Sequence, residues 1–203
     1  MRGYIHQAAF IFALAACGSL ISQSHNNSEL LANIIYSLSL IGLYGISTLY
    51  HIPMWSRRHY MLIRRIDHAA IFGLIAGSAT PICLIGIKGQ PGKELMILVW
   101  IVAFFGMVIA IFWPRAPKWV RAVLYISAGW LALPYLPNIK SALGETDFWL
   151  LVAGGITYSL GAIIYASKRP NLIPHIFGYH ELFHVLVVIG SVFHFAIIYG
   201  LTH

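Results

Sequence analysis

Only six acidic side chains occur among 203 residues, and charged residues of either sign make up 9% of the chain. Water-soluble surfaces carry about 25–35% charge, so this composition excludes an ordinary soluble domain. Cysteine is equally scarce. Cys17 and Cys83 both fall in apolar runs, which indicates no disulfide framework and reads as two buried apolar fillers. The run Leu14-Ala15-Ala16-Cys17 also resembles a lipoprotein processing box behind a weakly basic leader, an alternative to a complete first span that intact mass would resolve. No internal repeat or low-complexity segment stands out. The 13 Lys and Arg are scattered over short connections rather than massed on one face, which excludes a nucleic-acid-binding surface.

What the chain does have is hydrophobic length: 59% of its residues are apolar. Apolar runs lie at about 4–22, 31–53, 66–87, 93–113, 119–138, 146–167 and 178–200. Seven spans of ~20 residues use about 140 positions and leave no room for an extramembrane domain. Turn or breaker chemistry separates them: SQSHNNSE, WSRRHYMLIRR, KGQPGK, WPRAPK, PNIKSALGETD and KRPNLIPH. Backbone polar groups in lipid are satisfied only in helices or closed barrels, and these runs lack the alternation of barrel strands. The sequence therefore predicts an all-α integral membrane protein, a single seven-helix transmembrane bundle over 1–203. Pro81, Pro134 and Pro137 are expected to kink spans three and five, and Gly73, Gly77, Gly154, Gly155 and Gly161 to permit close helix packing.

Ten of the 13 basic residues, Arg2, Arg57, Arg58, Arg64, Arg65, Arg115, Lys118, Arg121, Lys168 and Arg169, fall on one side of this arrangement. Three, Lys88, Lys93 and Lys140, fall on the other, beside Glu29, Glu94, Glu145 and Asp147. The positive-inside rule then puts the N-terminus in the cytoplasm and the C-terminus outside, in a multi-pass protein of the cell membrane. The arginines at 57, 58, 64 and 65 read most simply as topology signals and contacts with anionic lipid.

Two acidic residues remain inside spans, Asp67 and Glu181, and ionisable groups at that depth mark functional-site candidates. Histidines accompany them. His51 ends span two in STLYH, Asp67 opens span three in RIDHAAIF, and His180 and His184 begin span seven in HELFH. Residues four apart share a helix face, so His180 and His184 can offer two nitrogens to one ion, and Ser47 stands one turn behind His51. The topology brings these groups to one depth, in the cytoplasmic half.

Three imidazoles with an open position form a catalytic zinc arrangement that lowers the pKa of bound water to about 7. Asp67 has the chemistry to orient or deprotonate that water, and Ser47 to donate a hydrogen bond to a polarised carbonyl. Simpler readings stand beside this one. Asp67 can serve as a salt-bridge partner of Arg64 or Arg65. His68, His175 and His194 read as interhelical hydrogen-bonding residues, and His6, His25, His59 and His203 as solvated residues at ends or in connections. HELFH also matches the H-E-x-x-H zinc metalloprotease signature, with Glu181 as general base. An intramembrane protease is thus a competitor.

At these residues the chain resembles the bacterial hemolysin III family, part of the wider progestin and adipoQ receptor family. The carrying strings are STLYH (47–51), RIDHAAIFGLIAGSATP (65–81), GGITYSLGAIIY (154–165) and FGYHELFHVLVVIGSVFHF (177–195). The resemblance implies seven helices, a cytoplasmic N-terminus and a zinc ion on three histidines, here His51, His180 and His184. It also implies a water-associated Asp67 and Ser47. One departure stands out. Family members usually carry a Glu and an Asn shortly before a His at the first helix, whereas this chain starts MRGYIH and retains His6 alone. A shortened start or a dispensable motif would each account for it. Glu181 is not a fixed feature of the wider family's H-x-x-x-H pattern.

The family's receptors are similar to alkaline ceramidases, which implies a zinc hydrolase whose activated water, oriented by Asp67, attacks an amide or ester carbonyl. The substrate would be a membrane lipid entering between helices, with zinc and Ser47 stabilising the oxyanion. The family name implies a cytolytic, membrane-perturbing alternative. A seven-helix receptor or sensor is a third class.

Overall fold

The computed structural model describes residues 2–173 and 176–202. Its described residues form seven α-helices: α1 (Arg2–Ser22), α2 (Asn27–His51), α3 (Arg57–Pro81), α4 (Gln90–Phe112), α5 (Lys118–Gly129), α6 (Leu136–Ser167) and α7 (Tyr179–Gly200). A π-turn, Ile82–Gly86, extends α3, and a 3₁₀ segment, Trp130–Tyr135, joins α5 to α6. Six stretches among them are long and apolar enough to cross a membrane: Gly3–Ser22, Asn27–His51, Arg57–Gly86, Gln90–Phe112, Lys118–Ser167 and Tyr179–Gly200. The expected fifth and sixth spans both lie inside Lys118–Ser167. That stretch is 50 residues long and is interrupted at Gly144, whose φ of 76° and ψ of 176° are not helical.

Local chemistry sets the helix ends. Asn26 accepts hydrogen bonds from the Ser28 and Glu29 amides, and the Glu29 carboxylate accepts one from the His25 amide, which starts α2. Ser56 accepts from the His59 amide at the start of α3, nine residues before the apolar run predicted at 66. Hydropathy located the apolar run and missed the polar turns of helix ahead of it. Lys168, at φ 58°, stops α6 in the left-handed conformation usual past a helix C-terminus. The predicted kinks take specific forms: Pro81 leads directly into the π-turn, and Pro134 lies in the 3₁₀ segment.

The helices close into a ring, with α1 packed on α2, α2 on α3, α3 on α4, α5 on α6, α6 on α7, and α7 back on α1. One apolar cluster is built around Phe72, Ala76, Leu95, Val99 and Phe148. A second, around Cys17, Leu20, Tyr36, Leu40 and Ile198, fills the space between α1, α2 and α7. Ile71 of α3 packs against both, so α3 is the wall they share. Cys17 is fully buried and Cys83 nearly so, as expected of fillers. The outer surface is apolar, with Phe12, Phe104 and Val192 exposed by 76%, 58% and 61%, a surface suited to lipid rather than water.

Interhelical polar contacts add to the packing: Trp100 Nε1 donates to Thr80 Oγ1 at 3.1 Å, Trp130 Nε1 to Ser159 Oγ at 2.9 Å, and the Tyr158 and Ser191 hydroxyls meet at 2.9 Å. Among the five glycines expected to allow close packing, Gly77 lies against Ser39 of α2, Gly154 against His194 of α7 and Gly161 against Phe183 and Leu186. Gly155 faces Trp130, whereas Gly73 has open space where a Cβ would stand and serves no close approach.

A methyl group at Gly77 would overlap the Ser39 side chain. Gly77→Ala is expected to cost about 1–3 kcal/mol of stability, read as a lowered unfolding temperature in detergent. Adding Ser39→Gly should restore much of that loss, and the absence of any rescue would show that the α2–α3 contact is looser than described.

Candidate metal centre

Two helix ends supply the three imidazoles. His51 is the last residue of α2, and His180 lies in the first turn of α7 with His184 one turn further along the same face. Gly178 starts α7, and Glu181 reaches back to accept its amide hydrogen at 3.0 Å. This is the carboxylate half of a capping box, and it occupies the acidic residue of HELFH with holding the helix end. His180 and His184 are thereby carried on a fixed first turn.

The three imidazoles converge. His51 Nε2 and His180 Nε2 stand 3.4 Å apart, and one ring nitrogen from each of His51, His180 and His184 lies within 4.8 Å of the other two. On a tetrahedral zinc, with bonds of about 2.0–2.1 Å, two ligand nitrogens stand roughly 3.4 Å apart, so the His51–His180 pair already has that spacing. The ring of His184 lies 4.7 Å from His180 and 5.0 Å from His51 between centroids. A pocket of ≈ 30 Å³ joins these rings to Ser47, Asp67 and His6. That volume admits an ion and about one water. Soft thiolates are absent from the group, and neutral imidazoles suit zinc or a similar divalent ion.

Asp67 borders the same pocket. Its Oδ2 is 3.2 Å from His68 Nδ1, and both side chains are 13% exposed. Among the described residues no arginine pairs with it, so the salt bridge weighed for Arg64 or Arg65 is replaced by a neighbouring imidazole. Ser47 is 3% exposed and sits one turn behind His51, as predicted.

His6 is a correction. Expected to be solvated at a chain end, it lies within α1 at 3% exposure, its ring stacked on His184 with centroids 3.9 Å apart. Its Nδ1 is 2.8 Å from Ser47 Oγ. Topology held the missed signal: α1 starts at the membrane face where α2 ends and α7 begins, so a residue in its first turns shares their depth. His194 lies between α6 and α7 without the interhelical hydrogen bond expected of it, both ring nitrogens being unpartnered. His175 and His203 fall outside the described residues.

An all-helical chain with an apolar outer face and several membrane-length helices is a multi-pass membrane protein. The chain belongs to the haemolysin-III-related family, whose model matches residues 1–195. It is 34% identical over 163 residues to the hemolysin-3 homolog of Bacillus subtilis (strain 168), covering 80% of this chain and 73% of that protein. It is 22% identical over 196 residues to the monocyte to macrophage differentiation factor of Homo sapiens, covering 95% and 79%. Similarity to heptahelical transmembrane protein 5 of Arabidopsis thaliana is 29% over 166 residues, covering 73% of this chain and 44% of that one.

Removing the His6 ring would leave a void against His184 and a buried Ser47 hydroxyl without its partner. His6→Ala is expected to lower stability by about 1–3 kcal/mol, measured by thermal unfolding in detergent. His6→Phe, which keeps the stacking, should lose less; equal losses would assign the whole effect to the hydrogen bond.

Proposed function

We propose that the chain is a seven-span, zinc-dependent membrane hydrolase acting on an amide or ester bond of a lipid, with its N-terminus in the cytoplasm. The convergence of His51, His180 and His184 beside an apolar cavity carries this reading. The cavity measures ≈ 170 Å³ and shares Leu43, Ile71, Tyr125, Phe183 and Val187 with the histidine pocket. Its size exceeds the ~150 Å³ cavity that holds a benzene molecule, and its lining suits a hydrocarbon chain. A lipid whose chain lies in the cavity would present its first polar bond to the imidazoles.

A zinc ion held by His51, His180 and His184 would supply an acidified water and a Lewis acid for the carbonyl. The protein's own groups do the rest. Asp67 accepts a proton and transfers it toward the leaving group, with His68 Nδ1 holding its carboxylate in place. His6 has an unpartnered, buried Nε2, a position better filled by a bare lone pair than by an N–H. The Nδ1–H tautomer follows, donating to Ser47 Oγ, and the Ser47 hydroxyl hydrogen is then free to donate to the developing oxyanion. Glu181 is engaged at the Gly178 amide, which favours Asp67 over Glu181 as the base and the hydrolase over an H-E-x-x-H protease.

The seven-span count is supported by length. A straight 50-residue helix would be about 75 Å long, more than twice the ~30 Å hydrocarbon core, and the break at Gly144 divides Lys118–Ser167 into two segments of crossing length. The name heptahelical carried by the Arabidopsis relative agrees with this count. The ten-to-three division of Lys and Arg supports the orientation.

Purified protein is expected to contain about one zinc per chain by elemental analysis, and His184→Ala to lose it; full metal content in that variant would refute the ligand assignment. Asp67→Asn should keep the metal while hydrolysis of a ceramide-type amide or matched ester falls about 10²–10⁴-fold, and Glu181→Gln should remain active. For orientation, a membrane-impermeant thiol reagent on intact cells should label Ser141→Cys but not Ser167→Cys. The reverse pattern would invert the topology.

A further inference from the structure

Arg121 is the most buried Lys or Arg among the described residues, 7% exposed, and its Nε and Nη1 have no hydrogen-bond partner. Its Cζ lies 5.7 Å over the Tyr165 ring, but that contact gives the Nε–H and Nη1–H no acceptor, and a buried charge left short of acceptors calls for an anion. The chain's own carboxylates on this face are engaged elsewhere, Asp67 with His68 and Glu181 at the Gly178 amide. Beside Arg121 is a small pocket also lined by Arg64, His68, Trp113, Pro114 and Ala116.

Three further features lie on the neighbouring stretch of chain. Arg121 belongs to the second turn of α5, and helix side chains lean toward the N-terminus, which returns its guanidinium toward the helix start. That start has Pro117 at the cap and no side-chain cap bond, so its first amides and the positive end of the helix dipole are open to an anion. Lys118 adds a charge. Its Nζ donates to the Tyr179 hydroxyl at 2.8 Å and lies 4.5 Å from the Tyr165 and Tyr179 ring centroids. Trp113 and Trp119, exposed by 51% and 64%, mark the depth at which tryptophans meet lipid headgroups.

We propose that Arg121, Arg64, Lys118 and the N-terminus of α5 bind a phosphate group. The pocket volume is ≈ 10 Å³, room for about one oxygen atom. One non-bridging oxygen enters to meet Arg121, while the phosphorus and its ester substituents stay at the mouth near Arg64 and Lys118. His68 and Tyr125 line both this pocket and the three-histidine pocket, so an occupant here stands one side chain away from the candidate metal centre. The proposal does not depend on hydrolysis or on a bound metal. A phospholipid headgroup and free inorganic phosphate offer the same chemistry.

Thermal unfolding of the purified full chain in a non-ionic detergent tests the site, with inorganic phosphate and a short-chain phosphatidylglycerol as separate probes and chloride at matched ionic strength as control. A saturable rise in unfolding temperature is expected for at least one probe beyond the chloride control. A response to the lipid alone identifies a headgroup site, and a response to phosphate alone a soluble-anion site. Arg121→Gln should weaken the responding probe about tenfold or more, and Arg121→Lys less. If Arg121→Gln does not fold, Arg64→Gln carries the test, with the same direction expected. Zinc content equal to wild type in these variants separates loss of this site from loss of the three-histidine group. No saturable rise for either probe, or saturation unchanged in the Gln variants, would overturn the proposal.

Discussion

The approach of His51 and His180 to 3.4 Å across the ends of α2 and α7 is the contact around which the polar interior is arranged. Imidazoles brought this close inside an apolar bundle need a shared partner or a hydrogen bond to be tolerated. Neighbouring groups are fitted to the cluster: His6 stacks on His184 and bonds Ser47, and Asp67 reaches the same pocket from α3. The cluster thus ties α1, α2, α3 and α7 together at one membrane face, while the rest of each helix packs mainly through apolar side chains, with isolated polar contacts such as Trp100–Thr80 and Tyr158–Ser191.

Helix α3 does a second job. It divides the interior into two apolar clusters, and along its length lie Asp67 and His68 near the middle and Ile71, Leu74 and Ile75 lining the large cavity further along. Polar pocket and apolar cavity therefore meet on a single helix face. A lipid with a polar bond at the head of a hydrocarbon chain has the same order of groups, and this match is what favours a lipid hydrolase over a purely structural use of the histidines. Glu181 shows the opposite case, a conspicuous intramembrane acid whose visible bond is to a helix end.

Much of this was legible in the residues. Hydropathic length fixed the helical class, because lipid leaves the backbone no other way to satisfy its amides. The i, i+4 spacing of His180 and His184 on one helix carried into the structure, and alternation of spans brought His51 to their depth. The start of α3 was less legible, since WSRRHYMLIRR is polar and its helicity follows from the Ser56 cap rather than from apolar content. Gly73 was misread for a related reason: small residues mark close packing only where another helix happens to cross, and none crosses there.

Sequence by itself determined the helical membrane class and the shared helix face of His180 and His184, because both follow from apolar length and local periodicity along one dimension. It could not determine which helices are neighbours around the ring, because lateral order depends on side-chain packing between segments far apart in the chain. Tertiary structure alone therefore put His6 against His184 and left Arg121 buried beside Arg64 with its Nε and Nη1 unpartnered. The His6 and Arg121 placements depend on the rotation and register at which the helices pack.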